Sequence, residues 1–118
     1  MAEKKTTKKT VKKPAKKAAA KKDTTDLQFA LKAAQIARDR RCSEIVVLDL
    51  TGISPATNFF GIATSTSGRQ AKTVADEITE AAGNYDLHRF GRAGYEQGQW
   101  ILLDFVNVVV HLFDPEHR

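Results

Sequence analysis

The sequence has few of the residues that staple small proteins or bind metal ions. Cys42 is the single cysteine among 118 residues, so an internal disulfide is excluded and a reducing compartment is indicated. The three histidines, at positions 88, 111 and 117, are scattered and lack the spacing of a metal-ligand cluster. We therefore expect a fold that depends on its hydrophobic core, with no metal ion and no other cofactor.

Long hydrophobic runs are also missing. A transmembrane helix needs about 18 consecutive apolar residues, whereas the best runs here, at 101–103 and 108–110, are interrupted by Asp104 and His111. The basic N-terminus lacks the apolar segment of a signal peptide and the Arg and Ser residues of a mitochondrial transit peptide. These absences predict a cytoplasmic protein of bacterial type with no membrane-spanning or targeting segment.

What the sequence has in excess is lysine, and the excess lies at the N-terminus. Residues 1–22 contain ten lysines and one acid, a net charge of +9, whereas the rest of the chain has 9 basic and 13 acidic side chains, a net charge of −4. Dense like charge with few apolar side chains predicts a disordered basic arm over residues 1–24. Residues 25–118 suffice for one domain that buries roughly two-thirds of its unfolded surface.

The lysines of the arm come in pairs four residues apart, so a helix would stack like charges, and Pro14 would interrupt it. Such lysines displace counterions from nucleic-acid phosphates with little base preference. A solubilising extension with no fixed partner is the alternative, because charge runs are often simply solvated. The candidate nucleic-acid-binding residues are Lys4, Lys5, Lys8, Lys9, Lys12, Lys13, Lys16 and Lys17.

Capping motifs and hydrophobic periodicity predict two helices. Thr25 and Gln28 form a capping box, so the first helix is expected to begin at Thr25 and to end near Arg41. Ser67 and Gln70 form a second capping box, which opens a helix that ends at residues 83–84.

Apolar runs predict the strands. Residues 44–50 are rich in β-branched side chains, which favours a strand covered on both faces. Residues 58–64 predict a second strand, and residues 85–98 a short strand with a flexible loop. The last two strands, 99–105 and 108–113, lie so close in sequence that a hairpin is expected.

A hairpin turn centred on residues 106–107 would pair Asp104 with Val109, Leu102 with His111, and Trp100 with Phe113. One face is then wholly apolar and must point to the core: Ile101, Leu103, Phe105, Val108, Val110 and Leu112. The other face mixes aromatic, apolar and titratable residues: Trp100, Leu102, Asp104, Val109, His111 and Phe113. This mixed face is either covered by another element of the chain or exposed for a partner, where a tryptophan would be a binding hot spot.

Phosphate-binding and metal-binding motifs are missing. Residues 61–69 lie between a strand and a helix, where anions bind, but they fit neither glycine-rich phosphate motif, so helix capping is expected there. Asp49 and Asp104 are isolated acids, not the neighbouring pair that holds two cations.

Covalent catalysis is not indicated either. Ser65 and Ser67 lack a nucleophile motif, and Cys42 has no evident histidine partner. A contact between Asp104 and His111 is interpreted as structural. An enzyme is therefore the less favoured class.

Two ordered blocks of the sequence carry a family resemblance. The first is Asn-Phe-Phe-Gly-Ile-Ala-Thr-Ser-Thr-Ser-Gly-Arg-Gln at 58–70, followed by Ala-Asp-Glu-Ile at 75–78. The second is Trp-Ile-Leu-Leu-Asp-Phe at 100–105 with Val-Val-His-Leu-Phe at 109–113. Over about residues 27–118 the sequence resembles the ribosomal silencing factor family, also called RsfS or Iojap. The resemblance implies an α/β (α+β) fold, a compact single domain whose mixed β-sheet has flanking helices, similar to nucleotidyltransferases without their catalytic acids.

The resemblance implies a translational repressor and not an enzyme. Members bind the large ribosomal subunit at its fourteenth protein and sterically block joining of the small subunit when nutrients are scarce, as in stationary phase. Carried over by position, Trp100, Leu102, Asp104 and Phe105 match the strand implicated in that contact, with His111 in the adjoining block. The protein is then expected to be a monomer or weak homodimer, with its arm against ribosomal RNA. The alternatives are a residual nucleotidyltransferase-like enzyme and a non-specific nucleic-acid binder acting through the arm.

The sequence departs from the family pattern at several positions. Asn58 replaces an Asp, Gly61 a branched apolar residue and Phe90 an acid, and Phe-Val-Asn at 105–107 replaces Tyr-Gly-Asp. Val106 suits a positive-φ turn badly, because a β-branched residue is strained there. The dipeptide Asp-Pro at 114–115 is typical of a helix start, yet three residues follow it, so the closing helix of the family is expected to be missing.

Overall fold

The computed structural model describes residues 20–117 as two α-helices and a five-stranded sheet. In chain order the elements are α1 (Ala20–Asp39), β1 (Ser43–Asp49), β2 (Phe59–Thr64), α2 (Gly68–Ala82), a 3₁₀ turn (Gly83–Tyr85), β3 (Gly91–Ala93), β4 (Trp100–Asp104) and β5 (Val108–Phe113). The predicted α+β class with a mixed sheet is confirmed, because β2 and β5 are parallel whereas the other neighbouring strands are antiparallel.

The start of α1 differs from the prediction. The helix begins at Ala20, and Thr25 lies inside it, so the capping box did not identify the N-terminus. Alanine and lysine favour the helical conformation. The helix therefore includes residues 20–24, the last five of the predicted arm. The end lies close to the predicted Arg41, which takes a left-handed conformation with φ of 67°. The amide of Cys42 donates to the carbonyl of Ala37 at 2.9 Å, which closes a Schellman motif.

The second helix has half of its predicted capping box. Ser67 is the N-cap, and its hydroxyl oxygen accepts from the amide of Gln70 at 3.1 Å. The Gln70 side chain does not close the box, because its amide donates to the carbonyl of Arg40 at the end of α1. Arg40 also forms a two-bond ion pair with Glu77. These contacts tie the C-terminus of α1 to α2.

The sheet order is β1-β2-β5-β4-β3, so β5 lies at its centre with its hairpin partner β4 beside it, and β1 and β3 are the edge strands. The hairpin register is the predicted one: Asp104 pairs with Val109, Leu102 with His111, and Trp100 with Phe113. The side chains predicted to face the core are all buried there: Ile101, Leu103, Phe105, Val108, Val110 and Leu112.

Both helices pack on one face of the sheet, and a single hydrophobic core lies between them. The expectation that β1 is covered on both faces is wrong, because the helices cover only one face of the sheet. In addition, β1 pairs only with β2 and is an edge strand. Val47 is fully buried under α1, whereas Val46 and Leu48 point to the opposite face and are half-buried. The two-layer arrangement leaves that opposite face without a helix over it in the described part of the chain.

The hairpin turn keeps its register at the expense of backbone strain. Val106 has φ of 75°, a conformation that costs a β-branched residue about 1–3 kcal/mol. The amide of Val106 donates to Oδ1 of Asp104 at 2.7 Å, and the amide of Phe105 donates to the carbonyl of Val108 at 2.9 Å. These bonds hold the turn closed around the strained residue.

Replacing this valine with glycine should stabilise the protein. Val106→Gly removes the strain and adds a smaller entropic cost, so the free energy of unfolding is expected to rise by about 1 kcal/mol in urea denaturation. Val109→Gly, within the adjoining strand, is the control and should lower it. A loss of stability in Val106→Gly would show that the turn is not strained.

A second stabilising change lies under α1. Gly61 is buried in β2 beside a small apolar gap lined by alanines of α1, Ala33 and Ala37 among them. A Cβ at Gly61 would meet only Cγ2 of Val110, at 3.8 Å, which is ordinary contact. Gly61→Ala is therefore expected to raise the free energy of unfolding by about 1 kcal/mol. The reverse change nearby, Ala63→Gly, should lower it in the same denaturation assay, and a destabilised Gly61→Ala would contradict the packing described.

Candidate partner-binding face

The helix-free side of the sheet, called the outer face below, carries one continuous set of side chains. The strand register places residues from β1, β2, β5 and β4 side by side on it. All are half-buried except Trp100, which is 53% exposed. The outer face consists of Val46, Leu48, Phe60, Ile62, Trp100, Leu102, Asp104, Val109, His111 and Phe113.

Four rings form a row across the outer face. The indole of Trp100 stacks beside Phe113 with ring centroids 5.5 Å apart, and beside His111 at 6.1 Å. The His111 ring also contacts Phe60 of β2, at 4.9 Å. Parallel pairing of β2 with β5 and antiparallel pairing of β4 with β5 bring these three strands together. The row is a rigid, mostly apolar surface with an exposed indole at one end.

The only polar contact within the ring row joins Trp100 to His111 in the described structure. Nε1 of the indole donates to Nδ1 of His111 at 3.2 Å. Burial lowers the pKa of His111 from its ordinary value, so the imidazole stays neutral near pH 7. The expected contact between His111 and Asp104 is not the bond that the structure forms, because Oδ1 of Asp104 accepts from the Val106 amide in the turn.

Four of the five predicted partner-binding residues lie together on the outer face: Trp100, Leu102, Asp104 and His111. Phe105, the fifth, does not lie with them, because its side chain is 2% exposed on the helix side of the sheet. It packs edge-on against Phe29 of α1, with ring centroids 4.9 Å apart. The alternation of side chains along β4 requires this, since Phe105 follows Asp104 on the opposite face.

The sequence prediction missed the half of the outer face that β1 and β2 supply. Val46 and Leu48 pair with Ile62 and Phe60, and Ile62 in turn lies beside His111. Period-two alternation around the inward-facing Val47 was the available signal. It could not be used, because the order of strands in a sheet depends on contacts distant in sequence.

The side chains of Ser65, Ser67 and Asp49 form structural hydrogen bonds with backbone groups. The hydroxyl of Ser65 donates to backbone carbonyls of Ser67 and Phe113, at 2.8 and 3.1 Å. Ser67 caps α2, as predicted, and Oδ1 of Asp49 accepts from the amide of Thr51. Burial raises the pKa of Cys42 to about 11, so its thiol is protonated and unreactive near neutral pH.

Residues 20–117 also lack a metal-binding cluster and a membrane-spanning helix. No group of three or more His, Cys, Asp or Glu side chains there could hold a metal ion. Neither helix combines the length and the apolar character needed to cross a bilayer. The eight lysines predicted to bind nucleic acid, from Lys4 to Lys17, lie outside the described residues.

Comparison with known proteins connects this fold to one family. The family model described as ribosomal silencing factor during starvation matches residues 22–118. The ribosomal silencing factor RsfS of Halalkalibacterium halodurans is 34% identical over 78% of this chain and 76% of its own length. That of Bacillus subtilis is 33% identical over 73% of each chain. The chloroplastic protein Iojap of Arabidopsis thaliana is 32% identical over 81% of this chain, which is 40% of the plant protein.

Solved structures agree with the sequence comparison. A crystal structure of a Bacillus halodurans protein superposes with a TM-score of 0.66 at 34% identity, covering 78% of this chain and 83% of that one. A crystal structure from Chromobacterium violaceum gives a TM-score of 0.70 at 27% identity, covering 76% of this chain and 75% of that one. Sequence and fold therefore agree, and this chain belongs to the ribosomal silencing factor family.

Proposed function

We propose that the protein represses translation by docking its outer face on the large ribosomal subunit, at the fourteenth large-subunit protein. The observation that carries this proposal is the exposed indole of Trp100 at the end of a rigid ring row. Membership of the ribosomal silencing factor family supports a ribosomal partner. The bound domain blocks the small subunit by occupying its joining surface, and no covalent step is needed.

The composition of the outer face suits a protein partner. Monomeric proteins rarely leave a continuous apolar face uncovered, and aromatic residues are enriched in the cores of interfaces. The ring row is both mostly apolar and aromatic. Its side chains are also held in place by strand pairing and by mutual stacking before any partner binds. Little side-chain freedom is then lost on docking, which favours affinity.

A site-specific photocrosslinker tests where the protein docks. Placed at Leu102, in the middle of the outer face, it should crosslink to the fourteenth large-subunit protein in purified subunits. Placed at Ile53, an exposed loop position beyond the end of β1, it should give no such product. Crosslinking from both positions alike, or from Leu102 to other proteins only, would refute the proposed docking site.

The basic arm is proposed to strengthen docking through ribosomal RNA phosphates. If six lysines engaged phosphates, the logarithm of the affinity would fall with the logarithm of salt at a slope of roughly −5. Deleting residues 1–19, which spares α1, should therefore weaken binding and flatten this slope without abolishing silencing. Loss of all ribosome binding on deletion would instead favour the non-specific nucleic-acid binder.

We infer that the protein is not an enzyme. The supporting contacts are the hydroxyls of Ser65 and Ser67 and the carboxylate of Asp49, all bonded to backbone groups. Calorimetry with nucleoside triphosphates and magnesium discriminates the alternative, a residual nucleotidyltransferase. Heat from specific binding of a nucleoside triphosphate would support that alternative, and no binding heat would contradict it.

A further inference from the structure

The environment of His111 has a feature that docking alone does not explain. Its Nδ1 accepts from the indole of Trp100, and an indole nitrogen can only donate, so the proton of the neutral imidazole must lie on Nε2. That Nε2 is buried and has no hydrogen-bond partner among the described residues. The hydrogen bond from Trp100 to Nδ1 thus leaves a buried donor without a partner among the described residues, and an unsatisfied buried donor is destabilising.

We propose that His111 is a positioning residue for Trp100: its neutral imidazole holds the indole in the orientation that docks, and protonation of His111 releases the indole and weakens docking. The inference rests on the proposed function of the outer face. Adding a proton to Nδ1 would turn two donors toward each other, at the 3.2 Å that now separates Nε1 from Nδ1. The hydrogen bond cannot survive that change.

The side chains that face His111 are mostly apolar. It faces Phe60 and Ile62 on β2, Leu102 on β4, and Phe113 on its own strand, none of which titrates. Asp104 lies diagonally across on β4, and its carboxylate is bonded to the Val106 amide. Glu44 of β1 lies beyond Thr64, to which it is hydrogen-bonded. Burial among these side chains lowers the pKa of His111.

The direction of the pH effect follows from that shift. The unfolded His111 binds its proton near pH 6.5, and the folded imidazole binds it at lower pH. Its contribution to folding is therefore complete above about pH 6.5 and is lost as pH falls toward the folded pKa. The affinity for the partner should also fall as pH falls, because the docked form requires the neutral imidazole.

Because the chain has a single tryptophan, the effect of His111 protonation on Trp100 can be measured without a ribosome. Fluorescence and the NMR signal of the indole N–H both report on Trp100 alone. We expect one transition in the free protein with a midpoint below pH 6.5, caused by the imidazolium that forms beside the indole. His111→Asn places an uncharged acceptor near the position of Nδ1 and should remove the transition while keeping the bond.

His117 needs its own control, because it lines a cleft beside Trp100 together with Gln97 and Gln99. Its Nδ1 lies 2.7 Å from Oδ1 of Asp114. The variant His117→Gln should keep the wild-type transition of the indole signals. If the transition disappears in this variant, or persists in His111→Asn, the assignment to His111 is overturned.

Binding to purified large subunits at pH 7.5 and 5.5 completes the test. The affinity of the wild-type protein should be lower at pH 5.5 than at pH 7.5, with a limiting loss of about tenfold per pH unit below the transition. The affinity of His111→Asn should not show this loss between the same two pH values. His111→Phe, which keeps the ring but lacks the acceptor, should bind weakly at both. Equal pH dependence of wild type and His111→Asn would overturn the coupling. Failure of every variant to bind, with the fluorescence transition intact, would instead refute the proposed docking function.

Discussion

Trp100→Ala is expected to weaken binding to the large ribosomal subunit by about 30- to 1,000-fold, equivalent to about 2–4 kcal/mol. The indole is 53% exposed, is held by stacking on Phe113 and by its bond to His111, and is the largest apolar group that the outer face offers to a partner. Its removal should change the free energy of unfolding much less, because half of the side chain is already in solvent. Affinity is measured by cosedimentation of labelled protein with purified subunits, and stability by urea denaturation.

Ile53→Ala is the matched control for this experiment. Ile53 is an exposed apolar residue, 76% exposed, in the loop between β1 and β2. That loop lies at the end of the sheet where β5 begins, opposite the end that carries Trp100. Its truncation should leave the affinity within about twofold of wild type. Equal losses in both variants, or none in Trp100→Ala, would show that the outer face is not the docking surface.

Gly94→Ala is expected to cost about 3 kcal/mol of the free energy of unfolding and to displace the start of β4. Gly94 has φ of 75°, where any other residue is strained, and a Cβ there would collide with the carbonyl oxygen of Trp100. The clash is with backbone, so no side-chain rotation relieves it. Urea denaturation should show a lower midpoint with an unchanged slope, and subunit affinity should fall as well, because the strand that carries Trp100 must move.

Gly83→Ala is the control for Gly94→Ala. Gly83 has an ordinary helical φ of −61°, and a Cβ there would meet nothing within 4 Å. This substitution should be neutral or stabilise by about 0.4–1 kcal/mol, because alanine reduces the freedom of the unfolded chain. If the two alanine variants were equally stable, Gly94 would not be the tight contact that the structure describes.

Local chemistry in the sequence was enough to predict the hairpin and its faces. Only three residues, 105–107, separate the strands, and this short turn fixes which residues of β4 and β5 oppose each other. The six inward positions are apolar without exception, so any register that exposed them would be unstable. Even the unfavourable Val106 did not change the pairing, because the hydrophobic pattern outweighs a strain of about 1–3 kcal/mol.

Non-local features could not be predicted in the same way. The edge position of β1 depends on β5 having taken the other side of β2, which no window of the sequence reveals. The start of α1 was missed because Thr25 satisfies a capping motif equally well inside a longer helix. Phe105 was predicted to bind the partner because it belongs to the same sequence block as Trp100. Alternation of side chains along the strand already placed it in the core, where the structure has it.

The central claim, that the bound domain keeps the subunits apart, is tested most directly by sedimentation of purified subunits under conditions where they join. Protein added to the large subunit at saturating concentration, before the small subunit, should shift material from the joined ribosome to free subunits. The protein should sediment with the large subunit, and Trp100→Ala at the same concentration should leave joining intact. Unchanged joining at full occupancy of the large subunit by the wild-type protein would contradict the account.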